Sequence, residues 1–214
     1  MSEKTIQADG LQMPLTKKGA KTRQKLLDTA EKVFGRKGYF NASVVDITQQ
    51  ANVAQGTFYN YFSSKLEIFE ALVKQLSQDF RNQIRSEVAN ARNFEEAQRI
   101  GFRTFFQWVK NHRDLYSIVQ QAVLVDEELY RRYYERIASG YIKGIEEAIG
   151  QKEIQSFDPE TVAYCLMGIS QFIGMRWVYW ENQDVPDRVF NDMMNFIFKG
   201  LSRGRKNERD CLLD

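Results

Sequence analysis

The chain has 214 residues and a mass of 25.1 kDa, which is long enough for one large domain or for a small domain joined to a larger one. Hydrophobic residues make up 43% and charged residues 27%, a globular composition, and the presence of only three prolines favours helices. The two cysteines, Cys165 and Cys211, have no spacing that suggests a disulfide framework or a metal site, and we expect Cys165 to be a buried thiol.

The net charge of +2 is unevenly distributed along the chain. Residues 1–65 carry ten Lys and Arg against five Asp and Glu, a balance of +5, which leaves −3 for residues 66–214. The N-terminal third is therefore the part expected to meet a polyanion. The alternative is a solvated basic surface without a partner.

Targeting and membrane segments are not expected. Residues 1–19 are polar and we expect them to be flexible, with no apolar signal segment. One apolar stretch, residues 162–180, approaches the length of a membrane helix, but Ser170, Gln171 and Arg176 interrupt it. We expect a buried helix with a polar stripe there, in a reduced, cytoplasmic protein.

Apolar residues recur every three or four positions through most of the chain, and no run alternates as a β-strand would. The sequence therefore predicts an all-α fold of about nine helices. The predicted helices span residues 22–37, 44–51, 55–61, 65–88, 95–111, 115–123, 127–149, 159–182 and 186–202.

Capping signals mark several of these boundaries. Gly38 is placed to end the first helix in a left-handed turn. Ser43 with Asp46 resembles a capping box, and Ser64 with Glu67 forms another. Residues expected at further helix starts are Asp114, Asp126 and Asp158 as N-caps, and Pro159 and Pro186 in first turns.

The third predicted helix, within AQGTFYNYFSSK at residues 54–65, has two unlike faces. Ala54, Phe58 and Phe62 share a face that suits a core. Two short helices joined by a tight turn, the second presenting polar and amphipathic residues, fit a helix-turn-helix, because the major groove of DNA admits one helix. The alternative is a pair of core helices packed through aromatic side chains. The residues on the other face are Gly56, Thr57, Tyr59 and Asn60, with Gln55 and Tyr61 at the margins.

These residues offer groups that DNA recognises. Gln55 fits an adenine edge, and Thr57 or Tyr59 can contact a thymine methyl or a phosphate. Gly56 permits close approach of the helix start to the duplex. Lys65, at the start of the next helix, brings an ammonium to backbone N–H groups that can bind the same phosphate.

Residues 22–73 resemble the DNA-binding region of TetR-family transcriptional regulators, and a set of spaced motifs carries the resemblance. The motif residues are Ala30, Phe34, Gly38 and Tyr39 in the first helix, Ile47 and Ala51 in the second, Gly56, Thr57, Tyr59, Tyr61 and Phe62 in the third, and Lys65, Ile68 and Phe69 after it. The resemblance implies base contacts from Gln55, Thr57, Tyr59 and Tyr61, and phosphate contacts from Ser43, Lys65 and the backbone of Val44.

Two further expectations accompany the resemblance. Many family members have Thr where Ser43 or Val44 stands. Valine has no hydroxyl, so a side-chain bond to phosphate is not expected at Val44, and Thr48 or Gln49 is expected to supply it instead. Four basic residues, Lys17, Lys18, Lys21 and Arg23, form an arm that can add phosphate or minor-groove contacts, and the alternative is a disordered tail. The predicted organisation is an arm at residues 1–19, a DNA-binding domain at 20–66, a ligand-binding and dimerisation domain at 67–204, and a tail at 205–214.

The last two predicted helices have apolar faces too broad to be hidden inside one chain. A single short recognition helix contacts too few bases for specificity, which also favours two copies. The resemblance implies a homodimer built on a four-helix bundle, in which Gly168 and Gly174 would permit close approach. Packing within one chain is the alternative for part of this face.

The resemblance also implies a small-molecule pocket in the middle helices. The candidate lining is aromatic and nearly uncharged, so we expect a small apolar effector, and the alternative for each residue is ordinary core. The candidates are Phe102, Phe105, Phe106, Trp108, Tyr116, Val119, Tyr133, Tyr134, Tyr141 and Met167.

Arg176 and Trp180 are four residues apart and share a helix face, so a guanidinium beside an indole could clasp a phosphate and stack an adenine. This is similar to regulators that respond to acyl-coenzyme A (acyl-CoA). The alternative is a surface Arg–Glu pair beside a dimer-interface tryptophan.

The function expected from the sequence is a sequence-specific DNA-binding regulator, most simply a repressor released by a small apolar effector such as an acyl-CoA. It would be nucleoid-associated when bound to DNA, and no cofactor or metal is expected. One alternative is an architectural protein that binds DNA through charge without sequence preference. The other is a helical enzyme, which the absence of catalytic motifs and the single histidine, His112, disfavour.

Overall fold

A computed structural model describes residues 16–201 of the chain. Within that range it has nine α-helices, one π-helical segment and no β-strand, so the predicted all-α fold is confirmed. The helices are α1 (Lys17–Asn41), α2 (Val44–Gln50), α3 (Gln55–Tyr59), α4 (Lys65–Val88), α5 (Phe94–Asn111), α6 (Arg113–Val125), α7 (Glu127–Gly150), α8 (Pro159–Ile173) and α9 (Asp187–Leu201), with the π-helical segment (Gly174–Trp180) between α8 and α9.

Helix α1 is longer at both ends than predicted. It begins at Lys17, where the Thr16 hydroxyl accepts a hydrogen bond from the Gly19 N–H at 3.0 Å, and it continues to Asn41. A kink interrupts it at Gly38, whose φ of 74° and ψ of 160° belong to a region that glycine adopts without strain. The sequence predicts a helix end at this glycine, and the structure shows a bend instead, because the next turn is helical again.

Side chains cap the helices at Ser43, Asp126 and Asp158, as predicted. The Ser43 hydroxyl accepts a bond from the Asp46 N–H at 3.1 Å, and the Asp46 carboxylate accepts one from the Ser43 N–H at 2.9 Å, which completes the capping box. The carboxylates of Asp126 and Asp158 each accept a bond from the backbone N–H three residues on, at 3.0 and 2.7 Å. Pro159 lies in the first turn of α8.

Two other helix starts differ from the predictions. His112 is the N-cap of α6, so the N-cap predicted at Asp114 is wrong, and Asp114 lies inside the first turn. At α4, the Ser64 hydroxyl accepts a bond from the Glu67 N–H at 3.1 Å, but the Glu67 carboxylate bonds Ser63 rather than Ser64. Only half of that capping box forms.

The predicted helix at residues 159–182 consists of two elements. Helix α8 ends at Ile173, and Gly174–Trp180 continues as a π-helix, with backbone hydrogen bonds that reach one residue farther than in an α-helix. Apolar periodicity does not reveal the change, because the same residue types suit both geometries. The chain then turns at Asn182, which has a φ of 54°, and Pro186 precedes α9 rather than lying in its first turn.

The chain divides into two compact units. The first unit takes in the residues up to Asp79 together with His112–Tyr134, and the second takes in Phe80–Asn111 and the chain from Glu135 onward. The sequence-based boundary between residues 66 and 67 differs, because α6 packs along α1 and so joins the DNA-binding part. Residues 1–15 of the predicted arm and the predicted tail at 205–214 lie outside the described residues.

Aromatic rings form the core of the first unit near the end of α1. Phe34 packs edge-on against Phe69 of α4, with ring centroids 5.4 Å apart, and Tyr39 packs against the same ring at 4.9 Å. Leu26 and Leu27, one face of α1 earlier in the helix, are also buried. These contacts join α1 to α4 behind the short helices.

Two contacts fix α6 to α1 within the first unit. A Cβ added at Gly35 would lie 2.5 Å from Asp114 Cβ, so the helices touch where α1 has no side chain. Farther along, Gln121 Oε1 accepts a hydrogen bond from the Tyr39 N–H at 2.7 Å, directly after the kink at Gly38. Helix α6 thus supports both sides of the bend in α1.

The core of the second unit is a chain of aromatic contacts. Phe80 packs against Trp108 and Phe105, with ring centroids 5.1 and 5.8 Å away. A Cβ added at Gly174 would lie 3.0 Å from Phe105 Cε1, so this glycine packs on α5. The close approach predicted for Gly174 therefore occurs inside the chain, whereas Gly168 has no side-chain neighbour within 4 Å.

Among residues 16–201, no helix combines the length and the apolar character needed to cross a membrane. The same residues include no group of three His, Cys, Asp or Glu side chains placed to hold a metal ion.

Candidate nucleic-acid interface

Helix α3 is held from behind by buried aromatic side chains. Phe58 and Phe62 are fully enclosed, with ring centroids 5.7 Å apart, and Ile47 and Ala51 of the preceding helix and turn are buried too. Ala54, predicted to share this face, is exposed, because it is the extended N-cap residue of α3 and lies outside the helical turn. The anchored side fixes which face of α3 points outward.

The outward face of α3 carries the residues predicted to read DNA. Gln55, Gly56, Tyr59 and Asn60 are exposed, and Thr57 and Tyr61 are half-buried at the edges. Tyr59 is 53% exposed while its ring packs edge-on against Phe58 at 5.3 Å, so the phenol is both accessible and oriented. Five side chains and the backbone of Gly56 thus lie wholly or partly accessible on one short segment.

An ion pair joins the capping box of α2 to α1. Asp46 Oδ1 lies 2.6 Å from Lys37 Nζ, and Asp46 Oδ2 accepts a hydrogen bond from the Ser43 hydroxyl at 2.8 Å. The bond from Lys37, followed by those from Ser43, favours the ionised carboxylate and lowers the pKa of Asp46 to about 2. Because the Ser43 hydroxyl donates to Asp46, a phosphate contact from Ser43 would require that hydroxyl to turn away from the cap.

The rest of α2 offers two exposed amide side chains, Gln49 and Gln50. Val44 is half-buried at the first position of α2, where a backbone N–H has no partner inside the helix. Thr48 is buried and its hydroxyl donates to the Val45 carbonyl at 3.1 Å, so the compensating contact predicted for it is wrong. Gln49 is exposed and keeps that prediction open.

Lys65 lies at the start of α4, and its ammonium faces the end of α1. Lys65 Nζ donates to the carbonyl oxygens of Tyr39 and Ala42, each at 2.8 Å, and it lies 4.3 Å from the centroid of the Tyr39 ring. These bonds use two of its three N–H donors. The phosphate contact stays a prediction for the third, and the structure adds a supporting role that the sequence did not indicate.

The basic residues predicted to form an arm are helical from Lys17 onward. Lys21 is exposed on α1, whereas Arg23 is half-buried with its guanidinium 5.2 Å from the centroid of the Phe62 ring. Burial lowers the pKa of Arg23, and Glu67 partly offsets this effect. Arg23 is therefore packed against the helix-turn-helix, which contradicts the disordered tail for this residue, and its contact with DNA stays a prediction.

The predicted effector-pocket residues divide between the two units. Six of them belong to the second unit and four to the first. Most are buried, and Phe105, Tyr134 and Tyr141 are half-buried. Those in the second unit are Phe102, Phe105, Phe106, Trp108, Tyr141 and Met167, and those in the first are Tyr116, Val119, Tyr133 and Tyr134.

Phenols are the titratable groups among these residues. Burial raises the pKa of Tyr141, and burial together with neighbouring tyrosines raises the pKa of Tyr134. The ring of Tyr134 lies 4.8 Å from that of Tyr130 and 5.1 Å from that of Tyr133. Sequence reasoning missed Tyr130, which shares a face of α7 with Tyr134 at a spacing of four residues.

Arg176, predicted to clasp a phosphate beside Trp180, is paired with Glu181. Arg176 Nη1 lies 2.6 Å from Glu181 Oε1, and its guanidinium lies 5.0 Å from the centroid of the Trp177 ring. Trp180 is 60% exposed. The geometry matches the surface Arg–Glu alternative, and a role for these two residues in binding an effector stays a prediction.

Large apolar side chains on α8, the π-helical segment and α9 point out of the second unit. Phe172 is 67% exposed and Phe196 is 74% exposed, and Tyr164 is exposed on the same helix as Phe172. Cys165 is also exposed, so the buried thiol predicted there is wrong. The buried face of α8 is instead made by Val162, Ala163, Leu166, Met167 and Ser170.

The sequence of the helix-turn-helix region matches a known family of DNA-binding proteins. Residues 26–72, from α1 to α4, match the model of bacterial regulatory proteins of the tetR family. The match covers the buried anchors of α3, its exposed face and Lys65. Residues 26–72 therefore carry a DNA-binding domain of the tetR family.

Relatives match this chain over most of its length. The uncharacterised regulator YvdT of Bacillus subtilis is 26% identical over 186 residues, covering 83% of this chain and 94% of that protein. The fatty acid metabolism regulator of the same organism is 26% identical over 182 residues, covering 82% and 93%. The structure of Bacillus subtilis FadR in complex with stearoyl-CoA covers 83% of this chain and 98% of its own, with a TM-score of 0.73 and 21% identity, which indicates a shared fold.

The DNA-binding domain and the relatives together decide between the function classes left open by the sequence. This protein is a DNA-binding transcriptional regulator, and its relatives are transcriptional regulators rather than enzymes. His112, the residue on which a catalytic site would have depended, is the N-cap of α6.

Proposed function

We propose that this protein is a homodimeric repressor of the TetR family that binds a palindromic operator through α3 and leaves it when an acyl-CoA binds. The observation that carries the DNA part is the exposed face of α3, anchored by Phe58 and Phe62. A rigid, outward short helix is what major-groove reading requires. The contacts of Asp46 with Lys37 and of Lys65 with the end of α1 hold the helices on either side of α3 to α1.

Base and phosphate contacts are assigned by position. Gln55, Tyr59 and Asn60 have the exposure that contact with base edges needs, and Thr57 and Tyr61 border them. Lys21 supplies an exposed cation for a phosphate. Gly56 has no neighbouring side chain within 4 Å, which leaves room for the sugar–phosphate backbone.

The exposed apolar face of α8 and α9 supports the homodimer. Phe172 and Phe196 would both be covered if two copies packed these helices together. Apolar side chains of this size are a signature of an interface when several lie on one surface. Two copies would then offer two α3 helices to two half-sites of DNA.

The acyl-CoA effector is supported by two relatives. A fatty acid metabolism regulator of Bacillus subtilis is similar over most of this chain, and the structure of FadR with stearoyl-CoA shares its fold. The aromatic residues predicted to line a pocket suit an acyl chain. The contacts between α6 and α1 supply a route by which a ligand beside α6 would move α3 away from DNA.

A DNA-binding titration tests the operator proposal. Fluorescence anisotropy with the protein's own upstream DNA against random DNA of equal length should show a preference of roughly a thousandfold or more. A Tyr59→Ala variant should lose most of this preference. A Lys32→Ala variant, which changes an exposed residue of α1, should keep it. Equal affinity for both DNAs, with a steep salt dependence, would favour the architectural alternative.

A release assay tests the effector proposal. Palmitoyl-CoA should dissociate the protein–operator complex, whereas coenzyme A alone should not. If Arg176 holds the nucleotide, then Arg176→Ala should require a higher palmitoyl-CoA concentration for release. Unchanged release by that variant would mean that Arg176 does not bind the effector and only forms its ion pair with Glu181.

A further inference from the structure

Two neighbouring glutamines of α6 have opposite hydrogen-bonding situations in the first unit. Gln121 Oε1 accepts from the Tyr39 N–H at 2.7 Å, and Gln121 Nε2 donates to the carbonyl and hydroxyl oxygens of Ser117 at 3.2 and 3.1 Å. Gln120 Nε2, by contrast, is closed off from solvent and has no hydrogen-bond acceptor. Burying an amide donor without an acceptor is costly, so native proteins rarely do it without a reason.

Four tyrosines lie on α6 and α7 of the same unit. Tyr116 precedes Gln120 by one helical turn, so both side chains project from one face of α6, and Tyr116 is buried. Tyr116 is close enough to Tyr134 of α7 to affect its titration. Tyr130 and Tyr133 stack edge-on against Tyr134. We call Gln120 and these four tyrosines the phenol–amide cluster.

The chemistry of the phenol–amide cluster is that of neutral hydrogen-bond donors. A buried amide N–H₂ can only donate, and phenols that stay protonated can donate as well. Burial raises the pKa of Tyr134, which keeps its hydroxyl protonated. None of the five side chains carries a formal charge at neutral pH, so the cluster suits a carbonyl oxygen better than a phosphate.

We propose that the phenol–amide cluster binds the carbonyl oxygen at the head of an acyl chain, with Gln120 Nε2 as a donor to that oxygen. This inference rests on the proposed acyl effector and names the atoms that would recognise it. It changes the expectation of a purely apolar pocket, because one end of the site is polar. An acyl thioester offers a neutral carbonyl oxygen and a free fatty acid a carboxylate oxygen, and both oxygens accept hydrogen bonds from such donors.

The position of Gln120 connects the site to DNA binding. The next residue, Gln121, holds the backbone of Tyr39, and Lys65 holds the carbonyl of the same tyrosine at 2.8 Å. A ligand that draws Gln120 toward its carbonyl would therefore act on the helix that supports the end of α1. Recognition and release would share one turn of α6.

The test compares three ligands that differ at the carbonyl. Isothermal titration of the full-length protein would use palmitoyl-CoA, palmitate and S-hexadecyl-CoA, a thioether that lacks only the carbonyl oxygen. The wild-type protein should bind palmitoyl-CoA about tenfold more tightly than the thioether, the loss expected for one hydrogen bond to a buried donor. Tighter binding of palmitate would also support the cluster and would identify the fatty acid as the source of the carbonyl.

Variants separate a binding role from a structural one. Gln120→Met should bind palmitoyl-CoA and the thioether equally well, and it should leave the ligand-free protein at least as heat-stable as the wild type, since it removes an unsatisfied donor. Gln121→Met, the matched control one residue away, should keep the tenfold preference and lower the melting temperature. If Gln120→Met does not fold, then Tyr134→Phe should reduce the preference by itself.

Contrary results are distinguishable. Equal binding of palmitoyl-CoA and the thioether by the wild type would overturn the carbonyl site and leave the acyl effector standing. Binding of none of the three ligands by a wild-type protein that still binds its operator would overturn the effector class and the site together. A Gln120→Met variant that retains the full preference would overturn the role of Gln120.

Discussion

At the scale of single residues, Lys65 shows how a side chain expected to contact DNA can also build the surface that does so. Its ammonium donates to the carbonyls of Tyr39 and Ala42 at 2.8 Å each, and it sits over the Tyr39 ring. Carbonyls at the end of a helix lack partners inside the helix, so a cation there is favourable. Lys65 thereby fixes the end of α1 next to the start of α2.

A Lys65→Met substitution should therefore destabilise the fold as well as weaken DNA binding. It keeps most of the apolar stem and removes both hydrogen bonds, so we expect the free energy of unfolding to fall by about 1–2 kcal/mol. Urea unfolding followed by circular dichroism measures this. Lys32→Met, at an exposed position of α1, is the control and should be near neutral. An unchanged stability for Lys65→Met would mean that these hydrogen bonds do not stabilise the fold and that phosphate binding is the only role proposed for Lys65.

Asp46 should make the capping of α2 sensitive to acid. Its pKa is about 2 in the folded protein against an ordinary value of 3.8, so its stabilisation is fully present above about pH 4 and is lost as the pH falls toward 2. Melting temperatures of the wild type and Asp46→Asn should differ most above pH 4, with the wild type higher, and should converge by pH 2. A constant difference across this range would mean that Lys37 and Ser43 do not favour the ionised carboxylate.

At the scale of helices, the contact between α1 and α6 depends on a missing side chain. Gly35 lies in the middle of α1 directly against Asp114, and the nearest Asp114 atoms are Cβ and Cγ, which cannot swing far away. Glycine inside a helix is unfavourable by itself, so its presence here indicates that close packing compensates.

Gly35→Ala should therefore destabilise the protein where a helix-interior alanine normally stabilises it. We expect a loss of about 1–3 kcal/mol in the free energy of unfolding, because α6 must move away. Gly140→Ala in α7 is the control, since Gly140 has open space around it, and it should gain about 0.5–1 kcal/mol. Thermal unfolding of the two variants compares them directly, and a gain at both positions would show that α6 yields easily.

Periodicity and capping residues were enough to predict the helices, because each helix buries one face and most begin at a recognisable cap. They were also enough for the exposed residues of α3, since Phe58 and Phe62 define its inward side. Which residue a given side chain packs against was less predictable. Gly174 packs on Phe105 inside the chain and Cys165 is exposed, because neither local pattern tells which neighbour an apolar or small residue will meet.

At the scale of the whole molecule, the exposed rings of Phe172 and Phe196 make a prediction about assembly. A glutamate at a covered position would bury a charge, so Phe172→Glu should convert the proposed dimer into a folded monomer. Light scattering coupled to gel filtration measures the mass, and circular dichroism checks the fold. Operator affinity should fall by at least a hundredfold, because only one α3 would remain per molecule.

Leu124→Glu provides the matched control for that experiment. Leu124 is 73% exposed, as much as Phe196, but it lies at the end of α6 in the first unit. The variant should keep the mass of the dimer and the wild-type affinity for operator DNA. If Phe172→Glu remained dimeric, the assembly would have to use another surface.

The π-helical segment also has a consequence for how this chain tolerates length changes. A π-helical turn holds one more residue than the α-helical turn that it replaces, so Gly174–Trp180 behaves as a stored insertion. Removing one residue within it should let α8 continue as an ordinary helix, whereas removing one from the middle of α8 should misalign every side chain beyond the cut. A one-residue deletion in this segment would therefore change the direction of Trp180 and leave the packing of α8 unchanged.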